Sequence, residues 1–120
     1  MATMTDARIQ TLKRPSGDDP VLAEIVRRLV GLYRPDRIYL FGSAARGDAG
    51  PDADYDFMVV VPDNTPPEIR DTKAVFKVLF DIPAPIDVLV WTRQEFDKRL
   101  HLRVSFPSTI VREGKLLYAA

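Results

Sequence analysis

Residues 54–61 read DYDFMVVV, two aspartates around a tyrosine followed by five apolar residues. An unbroken apolar run that contains three valines is typical of a strand covered on both faces. Side chains alternate between the two faces of a strand, so Asp54 and Asp56 project from the same face and can converge on one site. This stretch therefore predicts a buried strand, residues 55–61, with two carboxylates at its entrance. A plain polar turn at the strand entrance is the alternative explanation for the aspartates.

Shorter patterns on both sides of this strand predict further helices and strands. An aspartate N-cap with proline at the first helical position predicts a helix that begins at Asp18-Asp19-Pro20 and ends at Arg34-Pro35-Asp36. The remaining elements are predicted as strands at 37–41 and 86–91, an edge strand at 116–118, a helical turn and loop within 44–53, and helices at 65–80, 92–100 and 106–113. Capping boxes at 65–68 and 92–95 open two of these helices, and Gly114 stops the last.

This order of elements predicts the fold class and the domain organisation. Strands that alternate with helices favour an α/β (α+β) fold, a mixed β-sheet flanked by helices on at least one face. The chain has 120 residues, which is one domain's worth. Residues 1–17 are polar and weakly periodic, so we interpret them as an N-terminal arm or linker, and residues 18–120 as the single folded domain.

The composition excludes several kinds of site. The chain has no cysteine and one histidine, His101, which excludes disulfides, thiolate zinc sites and cysteine nucleophiles. No apolar stretch is long enough to span a bilayer and no secretory signal is recognisable, so no membrane association is expected and a cytoplasmic location follows by default. Seventeen basic and 17 acidic residues cancel, so no direct nucleic-acid binding is expected.

Two further features accompany the acidic strand entrance. Gly42-Ser43 follows a predicted strand. Backbone N–H groups at such a turn, together with the serine hydroxyl, can hold a phosphate. The alternative is a glycine turn followed by a serine N-cap without a ligand. Asp87 interrupts an apolar strand, where a lone buried carboxylate is costly. Either a neighbouring loop donates hydrogen bonds to it, or it joins Asp54 and Asp56 from an adjacent strand. Three carboxylates beside a phosphate-holding turn would fit a two-magnesium phosphoryl-transfer site.

The order of these residues resembles that of a known superfamily. The DNA polymerase beta-like nucleotidyltransferases have the pattern Gly-Ser-x-x-Arg-Gly…Asp-x-Asp…Asp, which is matched here by residues 42–47 (GSAARG), residues 54–56 (DYD) and Asp87. In particular, the chain resembles the small single-domain minimal nucleotidyltransferases (MNT) from about Val21 to Tyr118. Ala53 departs from the pattern, since many relatives have serine there.

The resemblance implies a role for each matched residue. It implies that the β- and γ-phosphates of a nucleoside triphosphate are held by Gly42 and Ser43, and that two Mg²⁺ ions are bound by Asp54, Asp56 and Asp87. Asp87 would bind the ion beside the acceptor hydroxyl and help to deprotonate that hydroxyl. Arg46 is a candidate phosphate contact, with a loop-capping or surface arginine as the alternative.

The resemblance also implies an activity and a partner. The activity would be transfer of AMP from ATP to a hydroxyl group. The acceptor would be a tyrosine of a HEPN-domain toxin, and this chain would then be the MNT antitoxin of a HEPN/MNT toxin–antitoxin pair. One alternative is a small-molecule nucleotidyltransferase of the aminoglycoside type, assembled as a homo-oligomer. The other is a non-catalytic antitoxin that masks its partner by binding.

Overall fold

The structure is a computed structural model that describes residues 19–46 and 54–120 of the chain. The predicted arm at 1–17, and residues 47–53 with Gly47 and Ala53, lie outside the described residues. In chain order the elements are α1 (Pro20–Tyr33), β1 (Arg37–Phe41), α2 (Ser43–Arg46), β2 (Tyr55–Val61), α3 (Pro67–Arg70), α4 (Lys73–Leu79), β3 (Ile86–Thr92), α5 (Arg93–Asp97), α6 (Phe106–Glu113) and β4 (Lys115–Ala119).

The four strands form one mixed sheet in the order β3-β2-β1-β4. β1 pairs antiparallel with both β2 and β4, and β2 pairs parallel with β3. The predicted mixed α/β fold is therefore confirmed, and so is the predicted edge strand near the C-terminus. Among the described strands, β3 lies at the opposite edge of the sheet from β4.

Helices cover both faces of the sheet. On one face, α1 and α4 bury Leu22, Ile25, Leu29, Val75 and Leu79 against side chains of β1, β2 and β4. On the other face, Phe96 of α5 and Ile110 of α6 pack on Tyr39, Met58 and Val60. Each residue of 57–61 is 0% exposed, which confirms that β2 is covered on both faces. In this three-layer arrangement β2 is a fully covered inner strand of the sheet.

The predicted start of the first helix is confirmed at atomic detail. The Asp19 side chain accepts hydrogen bonds from the backbone N–H groups of Val21 and Leu22, at 3.0 and 3.1 Å, and Pro20 is the first helical residue. Arg34 ends the helix in the left-handed conformation, with φ 48°, and its N–H donates to the carbonyl of Val30. Local capping chemistry therefore sets both ends of α1.

Two predicted helices are wrong in extent. The helix predicted over 65–80 is interrupted at Asp71, which is extended (φ −68°, ψ 125°) and accepts a hydrogen bond from the Lys73 N–H at 2.9 Å. An aspartate that bonds to the backbone two residues on competes with the helix, which explains the break. The first of the two short helices has Pro66 as its N-cap without a side-chain hydrogen bond, so the capping box at 65–68 is wrong.

The second capping box is present, but its helix is shorter than predicted. Thr92 accepts from the Glu95 N–H while the Glu95 side chain accepts from the Thr92 N–H, and α5 ends at Asp97 rather than near residue 100. The helix predicted at 106–113 has the predicted bounds, and Gly114 caps it. None of the helices in the described ranges is long and apolar enough to cross a bilayer.

Candidate active site

The sheet brings the predicted site residues of three strands side by side. Asp56 of β2 pairs with Asp87 of β3 in the parallel register, and Phe41 of β1 lies opposite Asp56. Neighbouring strands are about 4.8 Å apart, and paired residues point to the same face. Asp56 and Asp87, which we call the acidic pair, therefore project together from the face that α5 and α6 cover. The predicted adjacency of these two carboxylates follows from the strand register.

The turn after β1 is built against the acidic pair. Gly42 has φ 77°, in the left-handed region, and a Cβ atom placed on it would collide with Oδ2 of Asp56. Both facts require glycine, since a side chain would be strained and would also displace the carboxylate. Ser43 starts α2 directly afterwards, and the Ala45 N–H donates to the Gly42 carbonyl at 3.1 Å. The predicted Gly42-Ser43 turn therefore lies in contact with the carboxylate that sequence reasoning placed at the site.

The electrostatics of the site centre on Asp56. Partial burial raises the pKa of the Asp56 carboxyl, and the charges of Asp87 and Asp54 and a hydrogen bond with Asp87 raise it further. Asp54 itself is exposed and directly precedes β2. Asp87 and Asp54 therefore both make the ionised form of the Asp56 carboxyl more costly.

The sequence argument for Asp87 was right about its neighbour and wrong about its burial. We expected a carboxylate in the interior of an apolar strand to be buried, but Asp87 is exposed. The reason is that β3 is an edge strand, so that one side of it is open to solvent. Burial cost therefore does not explain Asp87, whereas its pairing with Asp56 remains.

The donor set fits a magnesium site that is completed by a substrate. Within residues 19–46 and 54–120, no group of three or more His, Cys, Asp and Glu side chains is arranged to hold a metal ion. Mg²⁺ is usually bound through one or two carboxylates together with waters and substrate phosphates, and a protein cage of three ligands is not needed. The acidic pair supplies such carboxylates, and after burial, which is the larger cause, repulsion from Asp87 raises the pKa of Asp56. A cation between them would relieve that repulsion.

Sequence reasoning missed how β2 is anchored at the site. The Tyr55 hydroxyl donates to Oδ2 of Asp19 at 2.7 Å, while Oδ1 of the same carboxylate caps α1. Burial, helped by this hydrogen bond and by the charge of Asp19, raises the pKa of Tyr55 to about 12. The Tyr55 N–H also donates to the Pro85 carbonyl at 2.9 Å, just before β3. Tyr55, which lies between Asp54 and Asp56, therefore connects β2 to the start of α1 and to the residue before β3. Its position inside the Asp-x-Asp pattern is the sequence feature that could have indicated this role.

Two concave surfaces adjoin the site. A cavity of about 170 Å³ lies beside the turn and is lined by Phe41, Gly42, Phe106, Thr109, Ile110 and Glu113. A larger cleft of about 380 Å³ lies between α4 and β3, on the sheet face opposite to the one from which the acidic pair projects, and Asp87 is among the residues that line it. The sequence predicted neither, because both are formed by residues far apart in the chain.

The structure gives less information about the other residues that the sequence analysis singled out. Arg46 ends α2, and its side chain is not among those the structure describes, so its phosphate contact stays a prediction. His101 is exposed, as expected for a surface histidine. Trp91 packs with the second core cluster and makes an edge contact with Phe106, which agrees with its interpretation as a packing residue.

Comparison with known proteins gives a family and a fold. The family model described as a nucleotidyltransferase domain matches residues 21–117. Among curated proteins, none matches the chain. Two solved structures have a similar fold. The first is a toxin–antitoxin crystallised with AMP-PNP; its TM-score is 0.54, its identity is 22%, and the match covers 81% of this chain and 72% of that one. The second is a mutant of the toxin–antitoxin MntA-HpeT; its TM-score is 0.50, its identity is 20%, and the match covers 79% of this chain and 71% of that one.

Proposed function

Because this chain belongs to the nucleotidyltransferase-domain family, we propose that it transfers AMP from ATP to the hydroxyl of a tyrosine on a partner HEPN-domain toxin. The observation that carries the chemistry is the contact between the turn and the acidic pair. A glycine that leaves room for the Asp56 carboxylate, beside a parallel-paired Asp87, supports a site in which the turn would hold phosphate and the carboxylates would bind metal. That combination supports attack on the α-phosphate of a nucleotide whose β- and γ-phosphates are held at the turn.

Each residue of the site then has a task in the proposed reaction. Gly42 and Ser43 hold the β- and γ-phosphates through backbone N–H groups and a hydroxyl. Asp54, Asp56 and Asp87 would hold two Mg²⁺ ions, and the chemistry that these would supply is neutralisation of charge on the phosphates, which favours departure of pyrophosphate. The acceptor oxygen forms a bond to the α-phosphorus, and the bond to pyrophosphate breaks. Asp87 is the carboxylate nearest the acceptor side and receives the proton of the hydroxyl.

The order of the strands supports this division of labour. The turn follows β1, Asp56 lies on β2 and Asp87 on β3, so the three parts lie in sequence across the sheet. The phosphates of ATP would bind at the β1 end and the acceptor would approach at the β3 end. Asp56 lies between the two, where burial and the charges of Asp87 and Asp54 raise its pKa and a cation would offset the cost of ionising it.

The partner assignment rests on the resemblance and on two neighbours. The MNT-like motif implies a HEPN toxin as partner, and the similar structures are named as toxin–antitoxin proteins. Modification of the toxin by this chain would be the antitoxin activity. A role as a non-catalytic antitoxin makes a different prediction, since it requires a stable complex but no transfer.

Intact-mass spectrometry of the partner tests the proposal. Incubation of a cognate HEPN protein with this chain, ATP and Mg²⁺ should add mass steps of AMP less water to the HEPN protein. Asp56→Asn should still bind the partner but should add no mass. A stable complex in which the HEPN protein keeps its mass with the unaltered chain would refute transfer and support masking.

A thermal scan tests the nucleotide site independently of any partner. ATP and Mg²⁺ together should raise the melting temperature more than either alone, because each neutralises charge that the other brings to the site. At a ligand concentration of about 100 times Kd, the expected gain in the free energy of unfolding is about 2.7 kcal/mol. No shift at millimolar ATP and Mg²⁺ would argue against the site itself.

A further inference from the structure

The cleft of about 380 Å³ between α4 and β3 lies on the face of the sheet that α1 and α4 cover, and apolar and polar atoms share its surface. Val75 and Leu79 line it and are buried. Phe76 and Phe80 also line it, but they are 76% and 82% exposed. Phe80 directly follows α4 with helical backbone angles, so the two rings, four residues apart, lie on the same side of the helix. Large apolar side chains left exposed beside a cleft favour an interaction surface.

The N-terminus of α1 lies beyond the C-terminal end of α4. The Arg28 side chain donates to the Val78 carbonyl at 2.9 Å and forms an ion pair with Asp81 at 2.6 Å. Burial, and after it the charge of Asp71, raises the pKa of Tyr33 to about 12, so the last residue of α1 lies near the residues that precede α4. The two helices therefore run antiparallel, and the residues of α1 before Arg28 continue past Asp81 toward the end of the cleft.

The first cap of α1 is fixed beside the cleft wall. Asp19 accepts a hydrogen bond from the Tyr55 hydroxyl at 2.7 Å, and Tyr55 is paired with Ile86 across the parallel strands. Tyr55 and Ile86 both pack against the first core cluster, and Ile86 lines the cleft. Neighbouring strands are about 4.8 Å apart. The chain that precedes Asp19 therefore begins on the same face of the sheet as the cleft, one strand away from its wall.

The residues before Asp19 have the reach and the composition to cover the cleft. An extended chain spans about 3.3 Å per residue, so the segment from Leu12 to Asp19 can bridge about 23 Å. Within it, residues 15–17 are Pro-Ser-Gly, which favour a turn that reverses the chain. Ile9 and Leu12 are separated by a glutamine and a threonine. Such a mixture of apolar and polar side chains matches a cleft whose surface exposes both kinds of atom.

We propose that the N-terminal arm, residues 1–17, docks on this cleft of its own chain. The side chains of Ile9 and Leu12 cover the two exposed rings. A segment on a short tether is present at an effective concentration in the millimolar range, so contacts too weak to hold a free peptide are sufficient to hold the arm. Burial of two aliphatic side chains against two aromatic rings supplies contacts of that strength.

Docking of the arm leaves the proposed active site accessible. The cleft lies on the face that α1 and α4 cover, whereas the acidic pair projects from the face that α5 and α6 cover. The interaction therefore does not depend on the proposed transfer activity. It also predicts that changes in the arm leave the binding of ATP and Mg²⁺ unchanged.

Disulfide trapping in the full chain tests the proposal. The chain has no cysteine, so Leu12→Cys/Phe80→Cys introduces a single possible intrachain disulfide and leaves Ile9 and Phe76 to hold the arm. A docked arm brings the two Cβ atoms close to the distance of about 3.5–4.5 Å that a disulfide needs. Oxidised glutathione added to dilute protein should then give the intrachain product. Phe80 is exposed, so the fold should tolerate the substitution.

The matched control carries the same two cysteines in an Ile9→Ser/Phe76→Ser background. The tether and the cysteine positions are then identical, and the contacts proposed to hold the arm are gone. The intrachain disulfide should form at least about fivefold more slowly in the control, because loss of a buried isoleucine contact lowers the docked fraction by about that factor.

Amide chemical shifts of the ¹⁵N-labelled full chain give a second readout that needs no cysteine. Ile9→Ser/Leu12→Ser should shift the amides of residues 72–88, whereas Ala2→Ser/Ala7→Ser, which changes two arm residues not assigned to the rings, should leave them in place. A synthetic peptide of residues 1–17, added to Ile9→Ser/Leu12→Ser at millimolar concentration, should return the shifted amides toward their positions in the unaltered chain.

Several outcomes would overturn the proposal. Equal oxidation rates in the two backgrounds, or unchanged amides at residues 72–88 in Ile9→Ser/Leu12→Ser, would show that the arm does not occupy the cleft. A disulfide that links two chains, together with a concentration-dependent dimer that Phe76→Ser/Phe80→Ser abolishes in sedimentation, would assign the cleft to a second copy. A smaller shift of the melting temperature with ATP and Mg²⁺ in Ile9→Ser/Leu12→Ser than in the unaltered chain would assign the arm to the nucleotide site instead.

Discussion

Gly42→Ala should weaken the fold a little and abolish the activity almost completely. Gly42 has φ 77°, and an L-residue in the left-handed region costs about 1–2 kcal/mol. The new Cβ would also collide with Oδ2 of Asp56, while the Cγ and Cβ atoms of Asp56 would be 3.4 and 3.7 Å away. The end of the Asp56 side chain can rotate out of the way, so most of the collision is relieved by moving the carboxylate. A displacement of about 1 Å at a reacting centre can cost about 100-fold in rate.

The two effects are measured separately. Urea unfolding followed by circular dichroism gives the free energy of unfolding, which should fall by about 1–2 kcal/mol. Transfer of AMP at saturating ATP and Mg²⁺ should fall about 100-fold per folded molecule. Gly31→Ala is the matched control, because a Cβ there meets nothing within 4 Å and the residue lies inside α1. That variant should gain about 0.5–1 kcal/mol and keep full activity.

A double-mutant cycle with Asp56 tests whether Gly42→Ala acts on activity by displacing the Asp56 carboxylate. In an Asp56→Ala background, Gly42→Ala should retain its backbone cost but should cause no further loss of the residual activity, since the carboxylate that it displaces is gone. Unchanged stability of Gly42→Ala would refute the backbone argument. Full transfer by Gly42→Ala would refute the idea that the Gly42–Asp56 contact positions the site.

Three further predictions concern charge and anchoring. The pKa of Asp56 is raised in the fold, so ionisation of this carboxyl costs stability as the pH rises above 3.8. In the absence of metal, Asp56→Asn should therefore be more stable than the unaltered chain at pH 7, by about 1 kcal/mol or less. The difference, measured by urea unfolding, should disappear as the pH falls toward 3.8. Hydrogen bonds from Arg27 and Arg28 lower the pKa of Glu24 from 4.5 to about 2, so the ionised Glu24 contributes stability above pH 4.5 that is lost as the pH falls toward 2. In Glu24→Gln, the free energy of unfolding should therefore fall less steeply with acidification than in the unaltered chain. Equal slopes for the two chains would contradict this prediction. Tyr55→Phe removes the 2.7 Å hydrogen bond to Asp19 and should cost about 1–2 kcal/mol in urea unfolding; no loss would mean that water replaces the bond fully.

Local rules in the sequence were sufficient for the elements that carry the site. The apolar run after Asp56 predicts β2 with its observed bounds, because a short valine-rich run of this kind is typical of a strand covered on both faces. Asp19 followed by Pro20 predicted the start of α1, where both residues act as expected. Such patterns are decided within a few residues, so they can be recognised without knowing the rest of the fold.

The break at Asp71 shows where local rules compete. The segment from residue 65 contains both a capping-box pattern and helix-favouring residues, and the sequence alone does not say whether Asp71 will stay in a helix or bond to the Lys73 N–H. In the structure the second alternative occurs, and α4 begins two residues later. As a result, Val75 and Leu79 lie on a separate short helix that packs in the first core cluster.

The order of the strands is the information that the sequence lacks and the site most depends on. Periodicity places Asp54 and Asp56 on one face of β2, but it does not say that β3 pairs parallel with β2 or that β3 lies at the edge. Those two facts together explain Asp87, because parallel pairing brings it to Asp56 while the edge position leaves it open to solvent. An interior position for β3 would have buried the carboxylate and blocked the approach of an acceptor. The same edge that invalidates the burial argument for Asp87 is therefore what makes it suited to meet a second substrate.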